Sequence, residues 1–184
     1  MAGSRFSTAR DLFAAFPSAE RDFTAGPTDE PPLPFLERVR HSETPEDGVS
    51  LLAYALGRRE AVWWGAQSVR LLCRIAVGQE DAPLQAAENW VRDPDDLLRR
   101  EALRLGMTSN QRLATPWVAL AAGWSGGNVG PSAQAIVQAT PEMTPRAVRT
   151  AVLVALATVS ARDRSNHLQA CIDLGVSLMH RGTR

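Results

Sequence analysis

A chain of 184 residues is long enough for one well-buried core, so we expect a single domain. Hydrophobic residues make up 45% of the chain and charged residues 22%, which is typical of a globular protein and too apolar for a disordered one. Twenty basic and twenty acidic residues cancel, so no global charge favours nucleic acid or an anionic membrane as a partner.

The first predicted element is a short helix near Ser7 to Phe16, and a proline-rich stretch follows it. The prolines of that stretch are Pro27, Pro31, Pro32 and Pro34. Because proline lacks a backbone donor and blocks helix interiors, we expect the stretch to be an irregular connector. The expected organisation is therefore a short helix and connector, residues 1–34, packed on a helical domain of residues 35–184.

Proline also marks the predicted starts of the later helices. Thr44-Pro45, Thr115-Pro116 and Thr144-Pro145 each precede a stretch rich in alanine, leucine and valine. A threonine N-cap accepts a hydrogen bond from an unpaired backbone N–H, and proline at the first helical position loses no hydrogen bond. Asp93-Pro94-Asp95-Asp96 is a fourth predicted start, with carboxylates at the positive end of the helix dipole. The helices predicted after the connector span residues 34–40, 45–56, 59–77, 81–91, 94–105, 116–122, 145–160 and 165–180.

Apolar residues recur with the period of a helix along three of these segments. The aligned residues are Val62, Ala66, Val69, Cys73 and Ala76, then Val148, Val152, Ala155 and Val159, then Leu168, Ile172, Gly175 and Met179. Spacings of three and four place each set on one helical face, and we find no comparable alternating strand pattern. We therefore predict an all-α protein, either an irregular bundle or a stack of antiparallel helical hairpins.

The predicted helix of residues 59–77 has two different faces. Trp64 falls on the face predicted to be core, together with Ser68, Leu71 and Ile75. Trp63 falls on an arginine-rich face, together with Arg59, Gln67, Arg70 and Arg74. Because Trp and Arg are enriched among binding hot spots, this second face is a candidate partner-binding surface. The alternative is that Trp63 stacks on Arg70 or packs against a neighbouring helix.

The stretch from Gly123 to Pro131 contains the written form of the nucleophile elbow, G-x-S-x-G, with Ser125 as the serine. That motif requires a strand before the serine and a helix after it, and a helix is predicted before it instead. A phosphate loop is excluded because the Lys-Ser/Thr ending is absent. We expect a turn that is either a plain connector or a partner contact. The candidate contact residues are Trp124, Ser125 and Asn128.

Residue types that support catalysis or metal binding are sparse. The histidines are His41, His167 and His180, and no two have the spacing that places ligands on one helical turn. None of the twenty basic residues is lysine, which excludes a Schiff-base mechanism. The cysteines, Cys73 and Cys171, fall in apolar helical patterns and are expected to be free. We predict no metal, no cofactor and no catalytic residue.

Two sequence motifs resemble a bacterial family of uncharacterised helical proteins. In the first, residues 43–64, a Pro-Glu-Asp helix start leads to Arg-Arg-Glu-Ala-Val-Trp-Trp. The second is Trp124-Ser125-Gly126-Gly127, followed by Thr144-Pro145-Arg146-Ala147-Val148. The resemblance spans about Phe35 to Val159 and provides no catalytic residues to carry over. Members of that family are encoded beside type VI secretion spike genes, so the resemblance implies an accessory or adaptor role in that apparatus.

These observations favour a non-catalytic module whose exposed helical face binds another protein, such as a type VI secretion effector or spike protein. No run approaches the roughly 20 apolar residues of a membrane span, and no signal peptide is evident, so we expect a cytoplasmic location. The alternative is a secreted effector or an enzyme of unknown type with a cleft near Gly123–Pro131. Nucleic-acid binding would require the arginines of the 59–77 helix to form one surface.

Overall fold

The structure is a computed structural model that describes residues 5–76, 78–130 and 134–181. Within these residues the chain folds into nine α-helices and one 3₁₀ helix, and β-structure is limited to an isolated bridge between Asn128 and Gln138. The predicted all-α class is confirmed. The helices are α1 (Ala9–Ala15), α2 (Pro32–Arg40), α3 (Asp47–Ala55), α4 (Arg58–Cys73), α5 (Ala82–Arg92), α6 (Asp96–Thr108), α7 (Thr115–Gly123), α8 (Met143–Ala157) and α9 (Ala161–Arg181).

The proline-rich stretch is not irregular throughout, because α2 begins at Pro32. Pro32 and Pro34 occupy the first turn of α2, where a backbone N–H has no partner within the helix, so the missing donors cost no hydrogen bond. The connector prediction is therefore wrong for this turn. The predicted division into residues 1–34 and 35–184 falls inside α2 and stays a prediction. Parts of the predictions lie outside the described residues, namely 1–4, Val77, Pro131 and 182–184.

The threonines of the Thr-Pro pairs do not act as N-caps, so that part of the prediction is wrong. Thr44 lies in a turn ahead of α3, and Thr115 is already the first residue of α7. Thr144 lies in the first turn of α8, where its hydroxyl donates to the carbonyl of Ala121 at 3.1 Å. The predicted acidic helix start is confirmed, because the Asp95 carboxylate accepts a hydrogen bond from the backbone N–H of Leu98 at 2.8 Å.

Helix α4 runs through the core and contacts α5, α7, α8 and α9. Trp64 is fully buried there, and its indole N–H donates to the carbonyl of Cys171 in α9 at 2.8 Å. Most of the predicted apolar faces are confirmed by burial. The buried members are Val62, Ala66, Val69, Val148, Val152, Ala155, Leu168, Ile172, Gly175 and Met179.

The end of α4 differs from the prediction. The helix stops at Cys73 because Arg74 adopts a left-handed conformation with φ of 55°, so Ala76 lies beyond the helix and is exposed. Leu71 was predicted to share the core face of Trp64, and it is exposed instead. At about 100° per residue, Leu71 lies at the border of the buried arc of α4, next to a groove that faces solvent.

Helices α6 and α7 pack closely because two glycines lie where they meet. A Cβ at Gly123 would lie 2.6 Å from the Cα of Leu103, and a Cβ at Gly106 would lie 2.9 Å from the backbone nitrogen of Leu120. Both distances are too short for a methyl group beside a backbone atom, so the crossing requires glycine at both positions. This contact fixes the end of α7, where the Trp124–Gly127 turn begins.

A polar network joins the 3₁₀ helix Pro17–Asp22 to α3 and α8. The Asp22 carboxylate accepts from the hydroxyl of Tyr54 at 2.5 Å and from Nε of Arg146 at 3.1 Å. The hydroxyl of Ser50 donates to the Asp22 backbone carbonyl at 2.7 Å. Burial, and then the bond to Asp22, raise the pKa of Tyr54, so this phenol stays protonated in the folded protein.

Asp47, from the Pro-Glu-Asp motif, fixes the segment that follows the 3₁₀ helix. Its carboxylate is buried and accepts hydrogen bonds from the backbone N–H groups of Thr24 at 3.0 Å and Ala25 at 2.7 Å. Hydrogen bonds to an ionised carboxylate are shorter and stronger than those between neutral groups. The motif therefore holds the N-terminal segment against α3, and no side chain caps the start of that helix.

Candidate functional site

The solvent-facing stripe of α4 is the part of the predicted surface that the structure brings together. We call the stripe of Trp63, Gln67, Arg70 and Leu71 the α4 ridge. It lies between α5 on one side and α9 on the other, and a groove runs along each side of it. Trp63 is 39% exposed and Leu71 is 40% exposed, so two large apolar side chains of the ridge reach solvent.

The groove between α4 and α5 has a volume of about 710 Å³. Trp63 lies on its α4 side and Val91 on its α5 side, so apolar surface faces the groove from both helices. The remaining lining residues are polar or glycine, namely Arg59, Glu60, Gln67, Arg70, Gly78, Gln79, Gln85, Glu88 and Arg92. An apolar centre with convergent polar groups is the usual composition of a binding site.

Two of the predicted arginines build the wall of this groove. Arg70 makes a two-point ion pair with Glu88 of α5, with nitrogen–oxygen distances of 2.6 and 2.8 Å, and these hydrogen bonds raise the pKa of Arg70. Arg59 donates to the carbonyls of Val91 at 2.6 Å and Arg92 at 3.2 Å, which satisfies the carboxyl end of α5. Both arginines therefore hold α5 against α4.

The contacts of Arg70 argue against one alternative for Trp63, in which the indole ring stacks on the Arg70 guanidinium. The Arg70 guanidinium is directed at Glu88 and at the carbonyl of Ala76, 2.9 Å away. The cation–π contacts within the described residues are those of Arg5 with Phe6 and of Arg38 with Phe35, and neither involves an indole. Trp63 is partly exposed and lines the groove between α4 and α5.

The second groove, between α4 and α9, also has a volume of about 710 Å³. Leu71 lines it from α4 and Leu174, 39% exposed, lines it from α9. Its other lining residues are Gln67, Arg70, Ile75, Ala76, Ala170, Asp173 and Ser177. Asp173 is paired with Arg40 at 2.7 Å, and the lining includes the apolar side chains of Leu71, Ile75 and Leu174. The two grooves share Gln67 and Arg70 and form one continuous surface.

Part of the predicted site assembles and part does not. Arg59, Trp63, Gln67 and Arg70 lie together, whereas Arg74 is exposed beyond the end of α4 and lines neither groove. Sequence reasoning missed the α9 side of the surface and took Leu71 for a core residue. Leu71 lies at the border of the buried face of α4. The spacing of apolar residues along a helix does not show whether a leucine at such a border is covered by another helix or exposed to solvent.

The turn after α7 is held by two arginines from elsewhere in the chain. Arg58 donates to the carbonyl of Ser125 at 2.7 Å. The buried Arg99 donates to the carbonyl of Gly123 at 2.8 Å and to that of Asn128 at 3.3 Å. The turn that resembles the second family motif is therefore anchored to α6 and to the first motif, which contains Arg58.

The three candidate residues of this turn lie apart from the α4 ridge. Trp124 is half-buried against the core, and the Asn128 side-chain oxygen accepts from the backbone N–H groups of Gly130 at 2.9 Å and Val137 at 2.8 Å. Asn128 therefore organises the loop. Within the described residues, the Ser125 hydroxyl has no hydrogen bond to an imidazole or a carboxylate.

Histidines and acidic side chains do not converge elsewhere in the described chain. Nε2 of His41 lies 3.8 Å from the Glu37 carboxylate on the surface, and Nδ1 of His167 lies 2.9 Å from the carbonyl of Asp163. The described residues contain no group of three or more histidine, cysteine or acidic side chains placed to hold a metal ion. No described helix combines the length and the apolar character needed to cross a membrane.

The fold and the ridge define an all-α protein with an open, partly apolar surface that extends over α4, α5 and α9. The chain belongs to a family of unknown function, DUF6931, whose model matches residues 35–179. The match covers the α4 ridge and both of its grooves. No curated protein and no solved structure matches the chain significantly.

Proposed function

We propose that this protein is a non-catalytic protein–protein interaction module that binds its partner through the α4 ridge. The exposure of Trp63 and Leu71 on a ridge between two grooves carries the proposal. Large apolar side chains exposed among polar groups mark interaction sites on proteins, and tryptophan and arginine are enriched at binding hot spots. Leu174 adds exposed apolar surface on α9.

The ridge is preorganised for binding. The Arg70–Glu88 pair and the bonds from Arg59 to the end of α5 hold the walls of one groove in place. Most of the lining residues of this groove come from two regular helices, so a partner orders little of the backbone when it binds. The conformational entropy lost on association is therefore small.

The charges of the groove between α4 and α5 favour a partner segment that is apolar and acidic. Three arginines and two glutamates line this groove, and Glu88 is neutralised by Arg70. The Arg92 guanidinium has no ion pair with a described carboxylate, and its Nη1 lies 3.4 Å from the Asn89 side-chain oxygen. A helix or strand that places an apolar side chain on Trp63 and a carboxylate near Arg92 fits both features.

We further propose that the partner is a type VI secretion effector or spike protein and that this chain acts as a cytoplasmic adaptor. The support for this assignment is the resemblance of residues 43–64 and 124–127 to a family encoded beside spike genes. The ridge residue Trp63 belongs to the first of these motifs. The alternative proposal, a secreted effector or enzyme with a cleft near Gly123–Pro131, requires an imidazole or carboxylate to reach Ser125.

Site-specific photo-crosslinking in the native host tests the binding surface. A benzophenone amino acid replaces Gln67 on the ridge or, as a control, Leu97, which is 79% exposed on α6. We expect a protein adduct from position 67 that is absent from position 97, and mass spectrometry identifies the captured protein. An effector or spike component supports the adaptor assignment, whereas any other protein overturns that assignment and leaves the interaction module in place.

Calorimetry with the purified captured protein then measures the contribution of Trp63. We expect Trp63→Ala to weaken binding about 30-fold, corresponding to about 2 kcal/mol, because a central aromatic anchor is lost. Leu97→Ala should bind like the wild type. Equal affinities of all three proteins, or equal crosslinking from both positions, would overturn the proposed binding surface.

A further inference from the structure

The loop between α7 and α8 contains a short antiparallel pairing with a free outer edge. The backbone N–H of Val129 donates to the carbonyl of Val137 at 2.8 Å, and that of Ala139 donates to the carbonyl of Gly127 at 3.2 Å. These two bonds flank the bridge between Asn128 and Gln138. Since alternate residues of an antiparallel ladder direct their backbone groups to opposite sides, Ile136 and Gln138 direct theirs away from the loop.

The outward backbone groups of Ile136 and Gln138 have no hydrogen-bond partner among the described residues. Ile136 is 68% exposed and Val137 is 52% exposed, so the edge also presents two large apolar side chains to solvent. Residues 134–140 contain no charged residue and no proline. Proteins usually protect an edge strand with charge, proline or a covering element, and this edge has none of them among the described residues.

We infer that a second copy of this chain pairs with this edge, antiparallel and about a two-fold axis at Val137. In that register Ile136 of one copy exchanges both backbone hydrogen bonds with Gln138 of the other, and the reverse pair does the same. The two Val137 side chains then face each other across the axis as a close apolar pair. A neutral segment meets its own copy without charge repulsion, which makes the edge self-complementary.

The size of the edge determines how strong this association is. Pairing over residues 136–138 buries far less than the roughly 1,200 Å² below which complexes are weak and transient. The dimer therefore forms only at high concentration, or where another protein brings two copies together. The edge lies on a different loop from the α4 ridge, so this inference does not depend on the proposed partner-binding function.

Sedimentation velocity of the full chain, from low micromolar to millimolar concentration, tests the inference. We expect the wild type to shift from monomer to dimer across this range. Val137→Lys should weaken dimerisation about tenfold, because the apolar pair is replaced by two like charges directly opposite each other. Leu97→Lys, which adds the same charge at a more exposed apolar position on α6, should dimerise like the wild type.

Mixing two variants of opposite charge distinguishes pairing at the Val137 axis from a general effect of the substitution. Val137→Lys and Val137→Glu should each dimerise more weakly than the wild type when alone, and an equal mixture should regain dimerisation because lysine then faces glutamate. In the wild type, the amides of Ile136 and Gln138 should exchange hydrogen more slowly as concentration rises. A wild type that is monomeric at every concentration, a Val137→Lys variant that dimerises normally, or a mixture that dimerises no better than either variant alone would each overturn the inference.

Discussion

Trp63 and Trp64 are adjacent in the chain and lie in opposite environments. The 100° rotation between consecutive helical residues directs Trp64 into the core and Trp63 towards the groove beside α5. Trp64 is fully buried with its N–H bonded to Cys171, whereas the Trp63 ring is partly in water. The same residue type therefore contributes stability at one position and binding surface at the next.

Truncating each tryptophan separates these contributions. Trp64→Ala should lower the free energy of unfolding by about 3 to 5 kcal/mol, because it leaves a cavity and an unpaired carbonyl in the core. Trp63→Ala should lower it by about 1 kcal/mol or less, since much of its ring is already exposed. Urea unfolding monitored by circular dichroism gives both values. A comparable loss in both variants would mean that the two faces of α4 are assigned wrongly.

The periodic pattern of α4 predicted which face of the helix carries the candidate site, but it did not predict the grooves on either side of that face. Arg59, Trp63, Gln67 and Arg70 fall on one side of any helix that contains them, so their grouping follows from the sequence alone. The grooves depend on where α5 and α9 pack, and that placement is set by contacts across the chain. Leu174 on α9 belongs to the site for this reason and has no signal in the sequence.

Among the elements, α6 and α7 have a close backbone contact that glycine makes possible. The Gly123→Ala methyl would lie 2.6 Å from the Cα of Leu103, so one helix must move. We expect this substitution to lower the free energy of unfolding by about 3 kcal/mol. Gly126→Ala is the matched control, because a Cβ there meets nothing within 4 Å, and it should unfold like the wild type. Thermal and urea unfolding of both variants provide the comparison.

The N-terminal segment depends on one carboxylate in α3. Asp47→Ala leaves the backbone N–H groups of Thr24 and Ala25 without their acceptor, so we expect a loss of about 2 to 3 kcal/mol in the free energy of unfolding. Asp29→Ala removes only an exposed pair with Arg10 and should have little effect. Hydrogen exchange should be faster in residues 17–25 of the Asp47 variant. Unchanged exchange there would contradict the assigned role.

The helices were predictable because their starts and their apolar period are local signals. Pro45, Pro116 and Pro145 lie within a few residues of real helix starts, and the predicted segments correspond to α3, α7 and α8. The function of the threonines was not predictable, because the Thr144 hydroxyl bonds to a carbonyl of α7 instead of its own helix. The end of α4 was missed because Arg74, not glycine, adopts the left-handed conformation that stops it.

At the scale of the whole molecule, two buried ionisable side chains, the thiol of Cys171 and the phenol of Tyr54, make the stability of the folded protein fall at high pH. Burial raises the pKa of the Cys171 thiol to about 11 from its ordinary value of 9.0, and burial with the Asp22 bond raises the pKa of Tyr54 above its ordinary value of 10.0. Both groups stay protonated in the folded chain at a pH where the unfolded chain releases their protons. Stability is therefore complete below about pH 9 and falls as the pH rises further.

The melting temperature should accordingly decline as the pH rises from 9 to 11, within the range set by these pKa values. Tyr54→Phe removes one of the two ionisations, so its melting temperature should fall less steeply, although the variant starts lower because a hydrogen bond to Asp22 is lost. Differential scanning calorimetry in a series of buffers measures both slopes. A flat profile for the wild type, or equal slopes for the two proteins, would contradict the assignment.

Arg58 and Arg99 hold the loop after α7 by donating hydrogen bonds to backbone carbonyls. Arg58 donates to that of Ser125, and Arg99 donates to those of Gly123 and Asn128. Every amino acid has a backbone carbonyl, so the bond from Arg58 does not require a particular side chain at Ser125. Substitution of Ser125 should therefore leave this anchor in place, whereas Gly123 and Asn128 are constrained by their own contacts, with Leu103 and with the backbone of Gly130 and Val137.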